Sequence, residues 1–189
     1  MKRAAIFGAV AIALACNSQV KRPDGGEGLL STGATAPDFT ATTKAGEPTK
    51  LSSLLADHQP VIVYFYPKDE TPGCTKEACA FRDAWTKFTT KHVALVGVSR
   101  DTEQSHREFV KSHNLPFPLA ADEDGKIAAS YGVKSTLGMS QRVSFLIGRD
   151  GKIAKVWPKV DPGIHADEVL AEADALPATS ATPASPASN

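Results

Sequence analysis

The sequence has little cysteine: three among 189 residues, at Cys16, Cys74 and Cys79. Its central part, about 150 residues, is long enough to bury roughly 70% of its unfolded surface, so no disulfide scaffold is needed. It has no excess of either charge. With 21 basic and 21 acidic residues the formal net charge is zero, which gives no argument for a nucleic-acid partner. No internal repeat is present. The apolar run at residues 4–14 is too short to span a bilayer as a helix. Cys-x-x-Cys is absent, which argues against a thiol–disulfide exchange protein. The five histidines, His58, His92, His106, His113 and His165, are scattered among surface or internally satisfied positions, and no Cys/His cluster offers the four ligands zinc requires.

What is present begins with the two ends. Met1-Lys2-Arg3 followed by the short apolar run has the form of a secretory signal, residues 1–15. Ala13-Leu14-Ala15-Cys16 reads either as an ordinary Ala-x-Ala cleavage site or as similar to a bacterial lipobox, in which Cys16 is lipidated and becomes the new N-terminus. The usual Leu three places before the cysteine is Ala13 here. The favoured expectation is an exported, periplasmic protein held to a membrane by a lipid at Cys16. Residues 16–28 are polar and glycine-containing and read as a flexible tether, followed by one domain over residues 29–176. Residues 177–189 contain only Pro, Ala, Thr, Ser and Asn, a composition that predicts a disordered tail.

Within the domain, short apolar runs at residues 61–66, 92–99, 142–147 and 153–157 predict strands. Segments 39–42 and 49–51 predict a small hairpin, 117–120 a short strand, and Asp150-Gly151 a hairpin turn. Helices are expected over 51–56, 72–90, 103–113, 125–131 and 167–176. On the second of these, Ala78, Phe81, Trp85 and Phe88 form a core-facing stripe. Alternating strands and helices give a three-layer α/β unit with a central mixed sheet, flanking helices and an N-terminal hairpin, which fits a thioredoxin-like fold.

The chemistry centres on Tyr64-Phe65-Tyr66-Pro67-Lys68-Asp69-Glu70-Thr71-Pro72-Gly73-Cys74-Thr75-Lys76-Glu77-Ala78-Cys79. Pro67 ends a strand, Thr71 is placed to cap a helix, Pro72 suits its first position, and Cys74 falls in its first turn. Free N–H groups and the helix dipole there favour the thiolate, the reactive form of a cysteine. Pro67-x-x-x-Thr71-x-x-Cys74 resembles the active-site signature of the peroxiredoxins. With Cys79 five residues on, the stretch resembles the bacterioferritin comigratory protein, or PrxQ, subfamily of these AhpC/TSA-like enzymes. Ala36-Pro37-Asp38-Phe39 and Arg142-Val143-Ser144-Phe145-Leu146-Ile147 extend the resemblance from about residue 29 to 176.

The resemblance implies a thioredoxin-dependent peroxidase without a cofactor or bound metal. Cys74 is oxidised by hydrogen peroxide or an organic hydroperoxide to a sulfenic acid. Cys79 condenses with it to a disulfide, and a thioredoxin-like dithiol reduces the pair. Thr71 is assigned to the peroxide oxygens, Pro67 to shielding the site, and Arg142 to the positive partner; the subfamily implies a monomer.

Acidity alone does not make such an enzyme fast. Lowering a thiol pKa from roughly 8.5 to roughly 6 raises thiolate at neutral pH about thirtyfold. The weaker nucleophile gives back roughly thirteenfold. The site must therefore orient the peroxide and stabilise its departing oxygen. On regular helix, residues five apart have Cα atoms roughly 8.6 Å apart, beyond the roughly 7 Å reach of a disulfide. Oxidation is thus expected to unwind the first turns. Of the alternatives on the same fold, a thiol-exchange protein would need the absent Cys-x-x-Cys, and a copper-binding protein would pair two cysteines with a histidine, which the Cys74-x-x-x-x-Cys79 spacing and Thr71-x-x-Cys74 speak against.

Overall fold

The computed structural model describes residues 19–42, 48–57 and 59–176. The proposed signal segment, Cys16, His58, the turn at residues 43–47 and the C-terminal tail lie outside the described residues. The elements run β1 (Thr40–Thr42), β2 (Pro48–Lys50), α1 (Leu51–Ala56), β3 (Val61–Phe65), α2 (Pro72–Asp83), α3 (Trp85–Thr90), β4 (Ala94–Ser99) and α4 (Glu103–His113). They continue β5 (Leu119–Ala121), α5 (Lys126–Ser130), β6 (Ser135–Thr136), β7 (Met139–Ser140), β8 (Val143–Ile147), β9 (Ile153–Trp157) and α6 (His165–Asp174).

Seven strands form one mixed sheet in the order β2-β1-β5-β4-β3-β8-β9. The centre is β3, parallel to β4 and antiparallel to β8. Its residues are β-branched or aromatic and all buried, as expected of a strand covered on both faces. Alternation splits them between two cores. Ile62, Tyr64 and Tyr66 join Cys74, Ala78 and Phe81 of α2, Phe109 of α4 and Val169 of α6. Val61, Val63 and Phe65 pack with Leu51 of α1, Ala128 of α5 and Phe145 of β8. This is the thioredoxin-like α/β architecture expected, with its N-terminal hairpin.

Three local features depart from the sequence reading. The single helix over residues 72–90 is divided at Ala84, whose φ of −85° and ψ of 0° end α2. The Lys87 N–H bonds the Ala84 carbonyl at 2.9 Å, an i−3 contact that tightens the chain before α3. That offset seats Trp85 against Phe88 and Phe117 at 6.1 and 5.9 Å between ring centroids, so Trp85 serves the core. Second, β6 and β7 form a two-residue ladder, too short to leave a periodic signal in the sequence.

Third, the stretch read as a tether carries structure from residue 21. Lys21 bridges Glu27, and Arg22 donates to the Glu27 and Gly28 carbonyls at 3.1 and 2.7 Å. The arginine fixes the strap by collecting carbonyls that no helix or sheet would otherwise satisfy.

The strap then runs over the domain, with Leu30 N–H on the Tyr131 carbonyl at 3.1 Å. Gly132 allows this approach. Its φ is +71°, and a Cβ there would lie 1.7 Å from the Gly28 carbonyl oxygen. Gly132→Ala is therefore expected to lower unfolding free energy by about 2–3 kcal/mol, measured by chemical denaturation. A loss under about 0.5 kcal/mol would show that the strap does not bear on the domain.

Candidate functional site

The site forms where β3 ends. Pro67 is half-buried just past Tyr66, at the start of the loop that leads to α2. Asp69 anchors this loop and is itself buried. Its carboxylate accepts from Tyr66 Oη at 2.7 Å, Ser105 Oγ at 2.7 Å and His106 Nδ1 at 2.9 Å. Its N–H donates to Asp101 Oδ2 at 2.9 Å. Burial by itself would raise the Asp69 pKa, but the bonds from His106, Ser105 and Tyr66 outweigh it and hold the carboxyl below its ordinary range.

Thr71 occupies the N-cap position of α2 with extended backbone, and its carbonyl accepts the Thr75 N–H at 2.9 Å. Its hydroxyl does not cap the helix, contrary to expectation. It donates to the Lys68 carbonyl at 3.0 Å, closing the loop on itself and leaving the oxygen lone pairs for another donor. Pro72 opens α2 and Cys74 follows in the first turn, 2% exposed.

Arg142, directly before β8, reaches this sulfur. Its Nη2 lies 3.2 Å from Cys74 Sγ, and its Nη1 pairs with Glu77 Oε2. The other oxygen of Glu77 accepts from His165 Nδ1 at 2.7 Å. Glu77 is fully buried, and so is His165, which packs between Phe81 and Trp157 at 5.2 and 6.0 Å. Burial opposes the Arg142 charge, but Glu77 and the Cys74 sulfur together hold its pKa above the ordinary value. The Arg142 fork thus has one arm on a carboxylate and one on the thiol.

Cys79 lies on the same helix and points elsewhere. It is half-buried, with Sγ 4.0 Å from His113 Nδ1. Both cysteines are free thiols on intact helix. Cys74, Arg142, Thr71 and Pro67 gather at one end of β3, while Cys79 stands apart from them. Glu77 and His165 were not singled out in the sequence. Glu77 had a local signal, since it follows Cys74 at i+3 on one helix face. His165 had none, because only the packing of α6 brings it there.

The chain matches the AhpC/TSA family over residues 32–156. It is 41% identical to peroxiredoxin Q of Sedum lineare over 144 residues, covering 75% of this chain and 76% of that protein. It is 38% identical to peroxiredoxin Bcp of Bacillus subtilis over 149 residues, covering 75% and 93%. The chain belongs to the AhpC/TSA family, as a peroxiredoxin of the Bcp/PrxQ type. In structure this peroxiredoxin is similar to the peroxidoxin BcpB of Mycobacterium tuberculosis, with a TM-score of 0.72 and 37% identity over 79% of this chain and 99% of that one. The copper-binding alternative gains no support. Among the described residues no group of three His, Cys, Asp or Glu side chains is placed to hold a metal ion.

The depressed Asp69 pKa sets an acid limit on this peroxiredoxin's site loop. A carboxyl with a folded pKa below its unfolded value of about 3.9 stabilises the fold above that value. The contribution is lost as pH falls through the lower, folded value. Burial acts oppositely on Asp122, which it raises, so Asp122 favours the fold at low pH and loses that effect as pH rises. Asp69→Asn should be less stable than the parent at pH 7, and the gap should shrink below about pH 4. Denaturant titrations from pH 7 to pH 2.5 measure it, and a gap independent of pH would contradict the assignment.

Proposed function

We propose that the chain is a thiol-dependent peroxidase in which Cys74 is the peroxidatic cysteine and Cys79 the resolving one. The observation that carries this reading is the 3.2 Å contact from Arg142 Nη2 to the buried Cys74 sulfur in the first turn of α2. The thiolate attacks one peroxide oxygen: an S–O bond forms, the O–O bond breaks, and the departing oxygen leaves as water or alcohol after protonation. Arg142 faces that charge, and the free lone pairs of the Thr71 hydroxyl accept the peroxide O–H and so align it. Pro67 and the loop behind it limit water at the sulfur.

The resulting sulfenic acid condenses with Cys79, releasing water. α2 is continuous from Pro72 through both cysteines, so forming that bond unwinds its first turns. Pro72 and Gly73 are weak helix formers, and the turn they occupy opens readily. A thioredoxin-like dithiol then returns both sulfurs to thiols. No step needs a second subunit, which suits a monomer.

Two measurements test the assignment of the cysteines. Cys74→Ser should abolish peroxide consumption, and Cys79→Ser should consume about one equivalent and stop, leaving a sulfenic acid visible by mass. Turnover unchanged in either variant, with a dithiol donor supplied, would refute it.

We also propose export and lipid anchoring at Cys16. Met1-Lys2-Arg3, the short apolar run and Ala13-Leu14-Ala15-Cys16 support this. The mature protein should partition with membranes and carry a diacylglyceryl mass on an N-terminal Cys16, and Cys16→Ser should become soluble. An N-terminus that retains residue 1 in the mature protein would rule this out.

A further inference from the structure

Cys79 has a polar partner system of its own, separate from that of Cys74. His113 closes α4 with Nδ1 4.0 Å from Cys79 Sγ and Nε2 3.0 Å from Glu70 Oε2. Glu70 sits in the loop before α2 with φ of +58°, a left-handed conformation uncommon for glutamate. The Phe109 ring meets the imidazole edge-on at 5.0 Å, and Arg82 donates to the His113 carbonyl at 2.9 Å. Three elements thus hold one imidazole between a carboxylate and a thiol. With Glu70 ionised, the imidazole proton is favoured on Nε2, which leaves the Nδ1 lone pair facing the sulfur.

We propose that His113 is the general base that ionises Cys79 for the resolving step, and that Glu70 is its positioning residue. This rests on the peroxidase reading above. The imidazole Nδ1 takes the Cys79 thiol proton, and the Cys79 thiolate attacks the Cys74 sulfenic sulfur. The S–S bond forms and the S–O bond breaks. Hydroxide leaves with the electron pair and is protonated to water by the imidazolium or by solvent. No external oxidant or reductant enters this step. An ordinary cysteine is only about 3% thiolate at pH 7, so a base beside it has room to act. Beside the pair, α2 also carries Arg82, bonded to the His113 carbonyl, and its ion-pair partner Asp83.

Stopped-flow fluorescence on the full chain separates two phases after peroxide mixing, a second-order oxidation at Cys74 and a first-order resolution by Cys79. In His113→Ala the first phase should stay within about twofold, while resolution at pH 7 slows about tenfold. Its pH midpoint should move up toward the free-thiol value of about 8.5, and added imidazole should restore part of the rate. Glu70→Gln, on an exposed loop, should slow the same phase by a few fold in the same direction and serves if His113→Ala fails to fold. Slower resolution should also leave more sulfinic acid on Cys74 at excess peroxide, read by mass. An unchanged resolution rate would overturn the proposal, as would a slower one with the parent pH midpoint and no imidazole rescue. A wild-type chain without an oxidation phase would instead remove the peroxidase reading itself, and this proposal with it.

Discussion

The buried Glu77 carboxylate is the constraint on which the site depends. It lies on α2 and receives Arg142 from the start of β8 and His165 from the start of α6. A lone buried carboxylate would be costly, and breaking such a buried pair typically costs about 3–5 kcal/mol. The three elements are therefore tied together, and the tie places a guanidinium arm on the Cys74 sulfur. With one arm held by Glu77, the charged Arg142 meets the sulfur with its other arm as a directed donor. That agrees with the arithmetic of thiol reactivity, in which acidity alone yields about a twofold gain. What remains for the site to supply is alignment.

Alignment in turn depends on sheet register. Phe65 pairs with Val143, so Arg142 lies beside the end of β3 where the loop to α2 begins. Val143, Phe145 and Ile147 enter one core and Leu146 the other, which assigns Arg142 to the Leu146 face, where α2 and α6 pack. A slip of one residue would turn Arg142 to the face carrying Leu51 and Ala128. Five consecutive buried residues on β8 make such a slip expensive on both faces. The catalytic geometry is thus protected by hydrophobic packing that takes no part in the chemistry.

Much of this was legible in the sequence, and its limits have physical causes. The strands of the sheet centre could be read because each is a short β-branched or aromatic run, and Asp150-Gly151 marked its hairpin. Cys74 and Thr71 were legible through the strand-to-helix transition around them. Arg142 entered only through resemblance, since nothing in its own neighbourhood says which distant sulfur it meets. The Thr71 cap was misjudged because a hydroxyl three residues from a free carbonyl has two local partners of similar strength, and loop geometry chose Lys68. Likewise, the break at Ala84 came from the seating of Trp85, a tertiary demand that overrides helix propensity.

The two sulfurs face opposite requirements, and one helix meets both. In the proposed cycle Cys74 needs an ordered first turn so that its sulfur, Arg142 and the loop oxygen converge, yet it must leave that turn to meet Cys79. A helix of uniform strength would satisfy only one of these demands. In α2 the division falls along the chain. The first residues are Pro72 and Gly73, with little intrinsic helical preference, and they are held in place from outside by the Asp69 network and Arg142. Further on, Ala78 and Phe81 are fixed in the core and Cys79 stays beside α4. In the proposed cycle, oxidation places an oxygen on Cys74 where Arg142 Nη2 now meets the sulfur, and so loosens the external hold on the part of the helix least able to stand alone. Opening is then coupled to the chemical state of the sulfur, and the exchange between order and release needs no effector beyond the substrate.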